Sequence, residues 1–247
     1  PSQKGFKIKG NVEFKNVWLS YNENQFVLKD ISFSLEKGES LAIVGATGSG
    51  KSTIINALCR FYEINKGDIL FDGQSIKDIN KFDLRKQIAL VQQDVFLFSG
   101  KVVDNIRLGN LQMRQEEIQS ISTAVNSHNF INNFPLKYEQ ELVEGGGSIS
   151  SGQRQLLSFA RALAVKPQIL VLDEATSSVD MDTERQIKNG IKEMTRGRTS
   201  IIIAHRLSTL MHVDKVLVLK NGKIIEFGKR NELLQQRGIF YKLCQAQ

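Results

Sequence analysis

Four short runs of almost unbroken hydrophobicity punctuate the chain, at residues 41 to 44, 88 to 91, 168 to 172 and 200 to 204. Each is bounded by polar residues and far too short to cross a bilayer, so the pattern predicts strands covered on both faces by helices. Between them lie helical periodicities over 51 to 62, with Ile54, Ile55, Leu58 and Phe61 on one face, and over 152 to 165, with Leu156, Phe159, Ala160 and Leu163 on one face. Strand and helix alternate as a parallel sheet requires. Ahead of this core, Val12-Glu13-Phe14 and Ile31-Ser32-Phe33-Ser34-Leu35 alternate as half-buried antiparallel strands, and residues 1 to 10 read as a linker to a domain spanning 11 to 247. From about 95 to 150 the pattern becomes polar and helical, Gln115 to Asn126 included; with the helix that follows, the inserted helical subdomain runs over approximately 95–165. Near the end, two apolar runs flank Lys220-Asn221-Gly222-Lys223, whose Asn-Gly pair predicts a tight hairpin, and residues 230 to 245 read as helical.

Composition changes this picture little. The 41% hydrophobic content and three prolines of 247 residues suit a compact α/β protein, and the chain, starting at Pro1, reads as a piece of a longer one. A net charge of +7 fits a polyphosphate or an anionic surface, yet dispersed lysines give the same total. Without basic-aromatic interleaving or a zinc-finger or helix-turn-helix spacing, it gives no argument for nucleic acid. Cys59 and Cys244 lie in apolar helical surroundings without C-x-x-C spacing and read as core thiols in a reducing compartment.

The chemistry is concentrated where the buried strands end. Gly45-Ala46-Thr47-Gly48-Ser49-Gly50-Lys51-Ser52 fits G-x-x-x-x-G-K-[ST] directly after one strand and before a helix, the context in which backbone N–H groups cradle a phosphate. Lys51 then reaches the terminal phosphates, and the Ser52 hydroxyl can hold Mg²⁺. A second strand closes on Asp173-Glu174, which suits Asp173 to the metal's hydration shell and Glu174 to the attacking water. Gln93 follows the strand at 88 to 91, and His205 the strand at 200 to 204. In an open parallel sheet, ligands bind outside the carboxyl ends of the strands, so Lys51, Gln93, Asp173, Glu174 and His205 should meet in one crevice. His128 and His212 are read as structural. Ser150 or Ser151 can cap the helix at 152 to 165; whether that turn is only a cap or also an anion site is open on the residues alone.

Together these motifs resemble the nucleotide-binding domain of ABC transporters. Ile149-Ser150-Ser151-Gly152-Gln153, followed by Arg154-Gln155-Leu156-Leu157 and Ala160-Arg161-Ala162-Leu163, is similar to the family's signature and its helix. Around it, in the family's order, stand the phosphate loop, the Q-loop Gln93, the strand ending in Asp173 with Glu174, a D-loop (Ser177-Ser178-Val179-Asp180) and the H-loop His205. The likeness runs from about residue 11 to 244 and departs at Ser151, commonly glycine, and Ile149, commonly leucine.

What the resemblance implies is the ABC ATPase fold, a P-loop NTPase core, working as a dimer around two Mg-ATP molecules. ATP on Gly45, Thr47, Gly48, Ser49, Gly50, Lys51, Ser52 and Thr53 would be completed by Ser150, Gly152 and Gln153 of a second, identical or different, domain. Tyr21 matches the aromatic position that stacks on adenine, Gln93 senses Mg²⁺ and the γ-phosphate, and Asp180 links the two sites. The segments near Gln93 and Glu144 match those that meet transmembrane coupling helices in exporters. The expectation is thus the ATPase motor of a multidrug or lipid exporter half-transporter, at the cytoplasmic face of a membrane. The alternatives are a soluble ABC ATPase acting on ribosomes or DNA, and a nucleotide switch with little turnover.

Overall fold

The computed structural model describes residues 5–22, 25–173, 180–204 and 207–245. The strands are β1 (Val12–Asn22), β2 (Gln25–Leu35), β3 (Ser40–Val44), β4 (Lys66–Phe71), β5 (Gln74–Ser75), β6 (Ile88–Val91), β7 (Gly100–Lys101), β8 (Glu141–Leu142), β9 (Ile169–Asp173), β10 (Thr199–Ile203), β11 (Lys215–Lys220) and β12 (Lys223–Lys229). The helices are α1 (Lys51–Leu58), α2 (Lys81–Arg85), α3 (Val102–Ile106), α4 (Gln115–Ala124), α5 (His128–Asn132), α6 (Ser151–Ala164), α7 (Met181–Thr195), α8 (Arg230–Gln236) and α9 (Ile239–Gln245).

A six-stranded sheet in the order β12-β11-β3-β10-β9-β6 forms the centre, parallel except for β12. Its parallel strands β3, β6, β9, β10 and β11 are largely hydrophobic because each serves two cores. Leu41, Ile43, Ile169, Val171, Ile201 and Ile203 point to one side, where they meet α1 and the antiparallel sheet β2-β1-β4-β5. Ala42, Val44, Leu170, Leu172 and Ile202 point to the other, onto α6 and α7. The strand period of two therefore divides one apolar run between two packed layers.

Several elements depart from what periodicity predicts. The first helix stops at Leu58, because Arg60 adopts a left-handed φ of 53° and its guanidinium is held by the carbonyls of Ile76 at 2.8 Å and Ile79 at 3.0 Å. Phe61 consequently lies on the surface beneath Arg85 and not in the core. The C-terminal helical stretch is two helices, broken at Arg237 with φ 52°; both carboxylate oxygens of Glu226 accept from the first amides of α9, at Ile239 and Phe240. The insertion contains a minimal β7-β8 ladder besides its helices. Cys59 is buried, its thiol pushed up to about 12 by desolvation, whereas Cys244 is only half-buried.

Residues 5–10, expected to run as a linker, are docked. Ile8 is buried, Gln87 brackets the segment by accepting from Ile8 N–H at 2.8 Å and donating to Phe6 C=O at 2.7 Å, and Thr199 donates to Gly10 C=O at 2.6 Å.

The β11-β12 turn is of the tight primed kind that its Asn-Gly pair predicts, with φ 50° at Asn221 and 76° at Gly222. Gly222 is irreplaceable for a second reason, since a Cβ there would come within 2.0 Å of Val27 C=O. Gly222→Ala should lower folding stability by on the order of 1–3 kcal/mol, the cost of a strained left-handed residue, read as a reduced urea midpoint at unchanged slope.

Candidate nucleotide site

The phosphate loop leaves β3 at its buried end and closes into α1. Gly45 passes so near β11 that a Cβ would lie 2.3 Å from Leu219 C=O. Gly222 N–H donates to Ser49 C=O at 2.9 Å and Lys29 N–H to Gly222 C=O at 2.8 Å, so the hairpin turn braces the loop from behind and is itself held by β2. α1 begins at Gly50 with φ 107°, no side-chain cap and no acidic residue in its first turn. Its leading amides are thus left to an anion. Among the described residues the buried Ser49 hydroxyl has no hydrogen-bond partner, which leaves a further donor within the loop.

Lys51 is 7% exposed, and its ammonium donates to Gly45 C=O at 2.7 Å and Ala46 C=O at 3.0 Å. Burial pushes its pKa below the ordinary lysine value, and the nearby Asp173 carboxylate draws it part of the way back. A lysine held charged against its own desolvation gains most from a polyanion.

Strand register aligns the remaining candidates. Ile43, Ile203 and Asp173 are level with one another, and Leu172 is level with Val91, so the loops after β3, β10, β9 and β6 emerge at one edge. The structure accordingly places Lys51 beside Asp173 at this edge, with Ser52 exposed on the first turn of α1 and Gln93 exposed just after β6. Glu174, Ser177, Ser178, Val179 and His205 lie outside the described residues. Tyr21 packs on α1: its hydroxyl donates to Thr53 Oγ1 at 3.1 Å and accepts from Asn56 Nδ2 at 2.9 Å. Asp180 caps α7, accepting from Thr183 N–H at 2.9 Å, and the hydrogen bonds from Thr183 hold its carboxyl below the ordinary value.

The signature turn is built differently. Ser150 Oγ accepts from Gln153 N–H at 3.1 Å while Gln153 Oε1 accepts from Ser150 N–H at 3.1 Å, a reciprocal capping box on α6. Gly152 is buried and Ser151 exposed. α6 packs beside the edge strand β6, and β6 is separated from the loop's own strand β3 by β9 and β10. Three strand spacings, roughly 14 Å, therefore separate β6 from the strand that leads into the phosphate loop.

Sequence reasoning missed the buttress of the segment after Gln93. Arg161 on α6 donates to Asn105 C=O and Asn105 Oδ1, both at 2.9 Å, and to Phe96 C=O at 2.9 Å, and lies over the Phe98 ring. Asn105 in turn accepts from Phe98 N–H and donates to Phe98 C=O, each at 2.9 Å. The missed signal is an arginine on the otherwise apolar face of an amphipathic helix. The 141 to 146 segment joins this unit through the β7-β8 ladder and a Gly145 N–H to Leu97 C=O bond of 2.9 Å. Beside it, an open groove of about 760 Å³ runs along β6, lined by Gln92, Asp94, Phe96, Phe98, Leu108 and Arg161 among others.

The model of the ABC transporter family matches residues 28–177. This chain belongs to the ABC transporter family. The ABC domain is 46% identical over 241 residues to the uncharacterized ABC transporter ATP-binding protein YknV of Bacillus subtilis, covering 98% of this chain and 40% of that protein. It is 44% identical to the probable multidrug resistance ABC transporter ATP-binding/permease protein YheH of Bacillus subtilis, covering 96% of this chain and 35% of the relative. A putative multidrug export ATP-binding/permease protein of Staphylococcus aureus is 45% identical, with 96% and 41% covered. The ABC domain thus spans well under half of the relatives it matches. Among solved structures, a bacterial Atm1-family ABC exporter with ATP bound superimposes with a TM-score of 0.91 at 34% identity, covering all of this chain and 44% of that one.

Replacing Arg161 by Ala strands several carbonyls, and should destabilise the ABC domain by about 1–3 kcal/mol. Hydrogen exchange should speed up specifically at the amides of residues 96–105, and Arg161→Lys should restore little, because an ammonium cannot reproduce the planar fork.

Proposed function

We propose that the chain is the ATP-binding and ATP-hydrolysing motor of an ABC exporter, of multidrug or lipid type. In this reading two such domains close around two Mg-ATP molecules to drive export through separate transmembrane segments. The observation that carries the proposal is the pairing of a buried, charged Lys51 under an uncapped helix N-terminus with Asp173 beside it, all at the carboxyl ends of parallel strands. The braced loop of Gly45, Thr47, Gly48, Ser49 and Gly50 would receive the phosphates, with Lys51, Ser52 and Thr53 completing the grip, and Tyr21 would stack on the base.

Mg²⁺ suits the donors present. Among the described residues no group of three or more His, Cys, Asp or Glu is placed to hold a metal. A hydroxyl at Ser52, the Asp173 carboxylate and phosphate oxygens, with Gln93 near the outer shell, are the mixed ligand set that Mg²⁺ accepts. Glu174 would orient the attacking water and His205 would clamp the γ-phosphate.

A dimer fits this layout. β9 and β10 lie between β3, which leads into the Lys51 loop, and β6, beside which α6 carries the turn Ser150, Gly152 and Gln153, so in this reading the turn does not serve the Lys51 site of its own chain. It would complete that of a second domain, identical or not, with Asp180 near the shared boundary. The groove along β6, where Phe96, Phe98 and Leu108 are each about half exposed, is the surface offered to a transmembrane coupling helix, with Glu144 on the adjoining segment. Among the described residues no helix is long and apolar enough to cross a membrane. In the exporter reading the domain would act at the cytoplasmic face beside a membrane-spanning partner.

Steady-state Mg-ATPase measured across protein concentration tests this. Turnover per molecule should rise with concentration, and Glu174→Gln should lose roughly 100-fold or more of it, as expected for a general base, while accumulating as an ATP-dependent dimer in gel filtration. Concentration-independent activity in a monomeric, active Glu174→Gln would overturn the composite site.

A further inference from the structure

Tyr21, next to the last residue of β1, is tied to α1 through its hydroxyl. Its hydroxyl is tied at both ends of its hydrogen-bonding capacity, donating to Thr53 Oγ1 at 3.1 Å and accepting from Asn56 Nδ2 at 2.9 Å. Thr53 and Asn56 are three residues apart and so share a helix face. Tyr62 sets its ring against Tyr21 at 4.7 Å between centroids and 81° between planes. Tyr21 is nevertheless 42% exposed, so the ring is held while much of its surface stays open.

Thr53 lies two residues beyond Lys51, in the first turn of α1, whereas Asn56 lies a turn farther on. A nucleotide whose phosphates sit in the 45–52 loop would bring its base out along this side of α1. A stacking ring contributes most when it is fixed before the base arrives, because ordering a free side chain on binding costs part of what the contact contributes. The double tether does that ordering within the protein.

We propose that Asn56 is a positioning residue for nucleobase recognition: its amide, through the Tyr21 hydroxyl, fixes the plane on which adenine stacks. The inference rests on the reading of Tyr21 and the phosphate loop given above. It makes Asn56 act on the base alone, with no part in phosphate binding or hydrolysis.

Equilibrium binding to this chain, in EDTA so that no hydrolysis intervenes, separates the two ideas if ATP and inorganic tripolyphosphate are compared. Asn56→Ala should weaken ATP about 3- to 10-fold, the size of one net hydrogen bond, and leave tripolyphosphate unchanged. Tyr21→Phe, which keeps the ring and removes the hydroxyl with both its bonds, should lose at least that factor, and the Asn56→Ala/Tyr21→Phe double variant no more than Tyr21→Phe alone, since that change already deletes the bond to Asn56. Equal losses for ATP and tripolyphosphate, fully multiplicative effects in the double variant, or tighter ATP binding by Asn56→Ala would each overturn the positioning role. Tyr21→Ala tells apart the two levels of failure. Should it leave the ATP preference over tripolyphosphate intact, the stacking reading of Tyr21 falls and the role of Asn56 with it. Should it abolish that preference while Asn56→Ala does not reduce it, only the positioning role falls.

Discussion

The phosphate loop keeps its shape because a hairpin turn is pressed against its back. Gly45 and Ser49 both meet the β11-β12 unit, the first through a contact with Leu219 too close for any side chain, the second through the Gly222 amide. Gly222 is fixed in turn by Lys29 of β2. Three layers thus converge on five or six loop residues: the central sheet supplies the exit strand, the hairpin the backing, and the antiparallel sheet the brace. Lys51 needs this support. A buried ammonium held by two carbonyls is tolerable only where the backbone that offers them cannot drift, and such fixed polar groups need little reorganisation when a polyanion replaces water.

Arg161 pins the segment that follows β6 onto α6. By bonding to the carbonyls of Phe96 and Asn105 it welds the chain that follows Gln93 to α6, the same helix whose N-terminus carries Ser150 and Gly152.

Much of this was legible in the chain. The uninterrupted apolar strands, the Gly-rich loop before Lys51 and the Asn221-Gly222 turn each have one economical physical meaning, and the structure has all three. What stayed hidden was set by contacts between distant residues. Nothing local marks the end of α1 at Leu58, since Arg60 is neither Gly nor Pro and turns left-handed only because remote carbonyls hold it. β4 was missed because it buries only Ile69 and Phe71, and α7 because its apolar positions are few; there Gly190, against Phe159, allows close approach. Asn56 and Arg161 look like ordinary helix residues until their partners, 35 and 56 positions away, are in place. For Glu174 and His205 the argument rests on the sequence, with the strands that lead to them ending level with Ile43.

The signature turn leaves room for the binding role proposed for it beside the structural one that is observed. Ser150 is a complete helix cap, and by that fact alone it needs no ligand. Yet capping uses the hydroxyl only as an acceptor, and a serine hydroxyl also carries one proton to donate. The box with Gln153 therefore orients Ser150 without consuming its donor, and the exposed turn still presents the N–H groups of α6. Replacing the customary glycine by Ser151 leaves this intact, because Ser151 is exposed while the glycine that sits in the packed interior, Gly152, is retained. Capping is therefore compatible with the anion role proposed for this turn: the box fixes the turn and leaves the Ser150 hydroxyl proton unused.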